Sequence, residues 1–344
     1  MKQIKNTVCA VFALVVTLSC SDDSALDNLL GGSASIPLYS GYKVVSGKQI
    51  DFYFSTDVQV LSARLQPEAD LEPLSEGNAV SLMMKQDRSG GERFIADILV
   101  EDPDGNTLEV IVPFRTRNDR VPRLVINEIK FSYGDQKSEF IEFKVLEAGN
   151  LGALRLFIVS ADPFSPVYEF PPVEVTAGEY IILHMRTLDV DTAVDELGKD
   201  LTLSSSLKNE CPKTVRDLWL PIKKKLLHNT DVIYLMDQDS KIIEGVVLCE
   251  IDDKNTADAV WKKNKEIGKA AELLAKQGQW LNKDGIAVRT PQWDDAAITK
   301  GNSGTRTLCR DEDYKDSNTQ SDWYICKKSG ATPGAKNDPE RYVP

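Results

Sequence analysis

The sequence predicts a mainly β protein: two immunoglobulin-like β-sandwich domains, the second with a helical insertion, behind an export segment. Three observations lead there. Residues 124–145, LVINEIKFSYGDQKSEFIEFKV, read as two half-buried strands joined by a polar turn, with apolar residues at period two. Residues 36–120 break into short β-rich runs with turn residues between them at fairly regular spacing. From about residue 185 to 300 that rhythm gives way to segments of helical period.

The elements follow in chain order. Residues 1–20, MKQIKNTVCAVFALVVTLSC, place Lys2 and Lys5 before an apolar run at 8–18 and a Ser19-Cys20 junction. This is the layout of an export signal. The run of about eleven residues is too short to span a bilayer core of roughly 30 Å as a helix. Cys20, followed by Ser21-Asp22-Asp23, resembles the acylated cysteine of a bacterial lipoprotein signal, although Leu18 sits one place nearer to it than usual. Relaxed junctions of this kind look similar to spirochaete lipoboxes. The resemblance implies acyl chains, palmitate among them, on Cys20, and an envelope protein held on the outer membrane or the periplasmic face. Residues 21–35, small, polar and marked by Gly31-Gly32, read as a flexible tether.

In the first sandwich the runs 41–46, 50–55, 58–65, 79–85, 94–101 and 107–114 are the expected strands. Ser46-Gly47, Pro67, Gly77-Asn78, Gly90-Gly91 and Asp104-Gly105-Asn106 are the turns between them, and Ile50, Phe52 and Phe54 should face the core. Residues 115–123 make a charged linker. The second module, 124–338, opens with a hairpin in which Val125, Ile129 and Phe131 share a face with Asn127, and Ile141, Phe143 and Val145 share another. That alternation predicts one wet side. Further strands are expected at 154–160, 180–184, 231–236 and 241–250. Val215, Leu218, Trp219, Ile222 and Leu226 predict a helix over 211–228, kinked at Pro221. Residues 255–277 predict a second helix, capped by Asn255 or Thr256, ended by Gly278, and apolar at Val260, Trp261, Ile267, Ala271 and Leu274.

Several short pieces in this order resemble the bacterial lamin-tail domain, an immunoglobulin-like sandwich. They are Ile126-Asn127-Glu128, Glu139-Phe140-Ile141-Glu142, Gly178-Glu179-Tyr180-Ile181-Ile182-Leu183, Asp316-Ser317-Asn318 with Asp322-Trp323, and Thr332-Pro333-Gly334-Ala335-Lys336-Asn337. The resemblance implies a fold and an interaction role, and brings no catalytic residues with it. Residues 185–300 exceed what that domain needs and read as an insertion.

Chemistry is sparse. With 41 basic against 53 acidic residues the net charge is −12, which excludes nucleic acid and anionic lipid surfaces as natural electrostatic partners. His184 and His228 lie in no paired ligand spacing and read as structural, and no P-loop or GxGxxG stretch occurs. Gly301-Asn302-Ser303-Gly304 reads as a plain turn, lacking a strand–helix elbow. In the acidic loop 311–318, Lys315 falls where an EF-hand needs a ligand, so no calcium site is expected there. Cys211, Cys249, Cys309 and Cys326 form an even set in an exported chain and predict two disulfides, most simply 211–249 and 309–326; with no CxxC pair, zinc is not expected.

These readings predict a membrane-anchored, exported lipoprotein that binds protein or carbohydrate without catalysis, with no cofactor, no metal and no catalytic residues. Trp219, Trp261, Trp280 and Trp293 cluster in the insertion and are the candidate binding residues, since tryptophan is enriched at hot spots; the same rings could instead anchor a core. Two alternatives remain: a nuclease- or phosphatase-like hydrolase with a carboxylate site in the insertion, and a purely structural envelope protein.

Overall fold

The computed structural model describes residues 36–133, 137–187, 191–205, 211–251, 261, 263–311 and 316–343. The expected signal segment, Cys20, the tether, the helix caps Asn255 and Thr256, and most of the acidic loop lie outside the described residues. The chain is mainly β and divides into two compact units, residues 36–87 with 93–114, and 88–92 with 115–343.

The first unit holds β1 (Tyr39–Val44), β2 (Gln49–Phe54), β3 (Gln59–Gln66), β4 (Leu71–Glu76), β5 (Ala79–Met84), β6 (Arg93–Glu101) and β7 (Thr107–Arg115). They form one sheet ordered β1-β2-β5-β4 and another ordered β3-β6-β7. Alternation sets the core as expected: Ile50, Phe52 and Phe54 of β2 join Val80, Leu82, Phe94, Ile98 and Phe114 in a single buried cluster drawn from both sheets. Strand β4 was not legible in the sequence, because Pro73 stands in its middle. It pairs only with β5, at the sheet edge, where a residue without an N–H is tolerated.

The second unit is larger. Its strands are β8 (Arg123–Lys130), β9 (Phe140–Glu147), β10 (Gly149–Asn150), β11 (Arg155–Ile158), β12 (Tyr168–Glu169), β13 (Glu174–Val175), β14 (Tyr180–His184), β15 (Arg216–Trp219), β16 (Asp231–Met236) and β17 (Ile242–Cys249). The helix α1 (Lys265–Lys276) follows, then β18 (Ala297–Ile298), β19 (Leu308–Arg310) and β20 (Trp323–Ile325). A six-stranded sheet runs β15-β14-β9-β8-β19-β20 and a five-stranded sheet runs β12-β11-β16-β17-β18. One apolar core, including Ile126, Phe143, Leu183, Leu156, Ile233 and Val247, draws on both sheets.

Two expectations are corrected here. Residues 211–228 form no helix; instead β15 pairs in parallel with β14, from Ile181 opposite Arg216 to His184 opposite Trp219. All four β15 residues are buried, and a strand covered on both faces loses the alternation that would have distinguished it from a buried helical turn. The stretch read as an insertion also supplies β16 and β17, which sit in the middle of the five-stranded sheet, so it is part of the core. Of the expected helices, the described one is α1. Ile267, Ala271 and Leu274 are its buried face, and a Cβ at Gly245 of β17 would lie 2.6 Å from Leu274 Cδ2. Only glycine lets the helix approach the strand that closely.

The organising hairpin is present, but without a wet side. Strands β8 and β9 pair antiparallel, with a bulge between Ile126 and Glu128. The extra residue shifts the phase of the strand. Leu124 and Ile126 face the core before the bulge, and Ile129 and Phe131 after it, so Val125 does not share the face of Ile129 as alternation had predicted. The opposite side carries Asn127, Glu128, Glu142 and Lys130, all buried.

Candidate functional site

What covers that polar side is the C-terminal stretch. The Asn337 amide donates to the Asn127 carbonyl at 3.1 Å and the Arg310 carbonyl at 2.8 Å, and Asn127 in turn donates to Glu142 Oε1 at 2.7 Å. The Thr332 N–H donates to Glu128 Oε2 at 3.1 Å, while the Gly334 N–H donates to Glu142 and the Thr307 hydroxyl to Glu128. Gly334 has φ +80°, and a Cβ there would fall 2.1 Å from Val215 Cγ2. The scattered pieces 126–128, 139–142 and 332–337 therefore meet as one buried polar latch. Burial pushes the Glu128 carboxyl up to about 7, against the hydrogen bonds from Thr307 and Thr332 that pull it down. These residues close the fold, and carboxylates expected on a wet face are consumed by it.

A second polar centre lies at the β14–β15 edge. His184 ends β14, and its Nε2 sits 2.7 Å from Asp217 Oδ1 and 3.9 Å from Cys211 Sγ. The imidazole stacks on Trp219 with ring centroids 3.8 Å apart, and Trp219 Nε1 donates to Ser204 Oγ at 2.9 Å. Ser204 Oγ is in turn 3.9 Å from Cys211 Sγ. His184 Nδ1 and Asp217 Oδ2 have no hydrogen-bond partner among the described residues, although the two side chains are each only 1% exposed. Glu196 lies alongside, fully buried, accepting from the Asp217 N–H at 2.9 Å and the Ser204 N–H at 3.0 Å. Burial raises the neighbouring Asp195 carboxyl, which accepts the Trp219 N–H at 2.7 Å.

The donors of this centre are arranged for convergence. In a relay, a carboxylate orients one imidazole nitrogen while the other takes the nucleophile's proton. Here Asp217 and Cys211 both face Nε2, so the imidazole cannot serve them in that way. The sequence hid this centre because its ligands come from three places: a strand end, its parallel neighbour, and the loop before that neighbour. By spacing alone, His184 reads as structural and Cys211 as half of a disulfide.

Of the two expected cysteine pairings, 309–326 brings its members together and 211–249 does not. Cys211, Cys249, Cys309 and Cys326 are buried thiols, with no disulfide among the described residues. Cys211 faces His184 from the loop before β15, whereas Cys249 ends β17 of the five-stranded sheet and donates to the Ile251 carbonyl at 3.5 Å. Cys309 and Cys326 lie side by side as a hydrogen-bonded thiol pair. That contact, aided by Thr307, draws Cys326 down to about 6 and raises Cys309.

The tryptophans expected as binding residues divide by burial. Trp280 is 1% exposed and donates to the Asp295 carbonyl at 3.0 Å, and Trp219 is the floor of the His184 centre. Trp261 and Trp293 pack, partly buried, against the main core. Trp219 and Trp280 serve packing, and Trp261 and Trp293 keep part of their surface in solvent. Among the described residues the most exposed aromatic is Phe164, 81% exposed, on a turn flanked by Pro163 and Pro166. Asp162 Oδ1 ties that turn by accepting from the N–H groups of Phe164 at 2.8 Å and Ser165 at 3.0 Å. His228 is exposed, and Asn302 sits in a turn with its N–H on the Thr299 carbonyl. Among the described residues, no helix is long and apolar enough to cross a membrane.

Comparison with known proteins adds the following. Residues 122–325 match the family TP_1001_2nd, described as a protein second domain. A relative, an uncharacterized protein of Treponema pallidum (strain Nichols), is 28% identical over 176 residues, which is 51% of this chain and 44% of that protein. The chain thus matches less than half the length of that relative. Among solved structures, a DUF4876 family protein from Bacteroides thetaiotaomicron VPI-5482 aligns over 84% of this chain and 94% of its own, at 11% identity and TM-score 0.29. Domains 1–6 of the surface layer protein SbsC align over 63% of this chain and 41% of their own, at 12% identity and TM-score 0.22. At such TM-scores neither likeness carries an argument.

Proposed function

This chain belongs to the TP_1001_2nd family, and on that premise we propose that it is an exported lipoprotein, anchored through Cys20, that works by binding a protein or carbohydrate and not by catalysis. The observation that carries the binding role is the Phe164 turn. A large ring 81% exposed is held there by two prolines and the Asp162 carboxylate, so little conformational freedom is left to lose on docking. Such a ring can enter an apolar pocket or lie on a sugar face. The N-terminal charge and apolar pattern with its Ser19-Cys20 junction supports the anchor, and the hairpin with its C-terminal latch is what a lamin-tail-like interaction domain would need. The hydrolase alternative gains nothing from the His184 centre, where thiol and carboxylate compete for one nitrogen.

The test uses the full chain in membranes. Cys20→Ser should move the protein to the aqueous phase on detergent partitioning, and partitioning that is unchanged would place the anchor elsewhere. Envelope material captured by the intact protein should be lost with Phe164→Ala at unchanged thermal stability. Retention of the same ligand at full affinity by that variant would remove the turn from the binding site.

A further inference from the structure

We infer that His184, Cys211 and Asp217 form a binding site for one divalent metal ion of the zinc class. The three ligand atoms lie within 4.8 Å of one another, on buried side chains supplied by β14, β15 and the loop before β15. A tetrahedral zinc site with ordinary bond lengths separates its nitrogen and oxygen donors by about 3.4 Å and its nitrogen and sulfur donors by about 3.6 Å. The corresponding separations are 2.7 Å and 3.9 Å, so entry of the ion opens the nitrogen–oxygen pair by about 0.7 Å and closes the nitrogen–sulfur pair by about 0.3 Å. It also replaces the His184–Asp217 hydrogen bond by two metal bonds. Three protein donors leave a fourth position for water.

Two further features ask for a cation. Asp217 Oδ2 is buried without a hydrogen-bond partner among the described residues, an arrangement that costs free energy unless charge or a donor arrives. Among the described residues the adjacent buried Glu196 carboxylate accepts from two backbone N–H groups, so two buried carboxylates share the pocket. Two cations alongside are engaged elsewhere: Arg216 is turned to Glu179 at 2.8 Å and to the Glu196 and Gly198 carbonyls, and Lys213 Nζ donates to the Thr202 and Ser204 carbonyls at 3.0 and 2.9 Å. A divalent ion would balance that charge. Thiolate and imidazole donors select a borderline-soft ion over calcium or magnesium, which take oxygen ligands. The stack on Trp219 fixes the imidazole plane, and the Ser204 hydroxyl stands beside the sulfur, where it can donate to a thiolate.

The probe is cobalt(II) alone, titrated into the detergent-solubilised, chelator-treated full chain. One equivalent should bind and develop thiolate-to-cobalt charge-transfer absorption, which one equivalent of zinc then abolishes by displacement. Cys211→Ser should eliminate that absorption, and Asp217→Asn should retain it while weakening binding by about tenfold or more, since even loss of a partner one shell further out costs that much. Cys249→Ser should change nothing. The inference is overturned if the wild-type chain, natively folded by near-ultraviolet circular dichroism, shows no charge-transfer absorption at saturating cobalt. It is equally overturned if the absorption survives Cys211→Ser.

Discussion

Asn337→Ala tests whether the C-terminal stretch holds the second unit closed. The Asn337 side chain is buried, and its amide reaches the Asn127 carbonyl at 3.1 Å, the Asn127 Oδ1 at 3.1 Å and the Arg310 carbonyl at 2.8 Å. Its own Oδ1 accepts from the Thr332 hydroxyl at 3.3 Å. Truncation removes both hydrogens of the amide at once and leaves acceptors on β8 and β19 inside a water-poor site. A buried acceptor left without its donor costs about 1–3 kcal/mol; three acceptors lose a partner here, but they share two hydrogens and the carbonyls keep a second lone pair. The expected loss is about 2–4 kcal/mol. For a unit of this size that corresponds to a fall in Tm of roughly 5–15 °C. Urea unfolding followed by tryptophan fluorescence measures it, with an unchanged m-value showing that only stability moved. A loss below about 0.5 kcal/mol, the range of ordinary surface substitutions, would refute the latch.

Two more outcomes follow from named groups. Because burial raises the Glu128 carboxyl to about 7, the folded chain holds a proton there that the unfolded chain has released above its own value of 4.5; stability from this group is full below that value and falls as pH rises to about 7. Glu128→Gln should flatten that decline, worth up to about 3 kcal/mol, in urea unfolding repeated from pH 5 to 8, and an unchanged slope would deny the group its role. Trp280→Ala should cost about 3–5 kcal/mol while the folded fraction keeps full affinity for any captured ligand; a ligand lost at unchanged stability would restore Trp280 as a contact residue.

The sequence made the sheet-forming rhythm legible wherever one face of a strand is covered by core and the other is not. Ile50, Phe52 and Phe54 are the clear case, alternating and buried as their spacing required. Legibility failed where both faces are covered. Residues 215–219 looked helical because β15 is buried throughout, and the alternation of 124–131 was misphased because a bulge adds a residue that no local pattern announces. The polar latch could be seen as motif pieces but not as a contact, since Asn127 and Asn337 are 210 positions apart. The His184 centre was illegible for the same reason: its members share no short spacing, and only the parallel β14–β15 register brings Asp217 beside His184. A tryptophan count does not separate packing from contact surface: Trp219 and Trp280 are buried, whereas Trp261 and Trp293 are partly exposed.

X-ray absorption at the zinc edge bears most directly on the chemistry of the His184 centre. For the zinc-loaded full chain, the expected first shell contains one sulfur at about 2.3 Å with nitrogen and oxygen donors at about 2.0–2.2 Å. The Cys211→Ser chain should show that shell with the sulfur gone. A wild-type shell of nitrogen and oxygen alone would contradict coordination by Cys211.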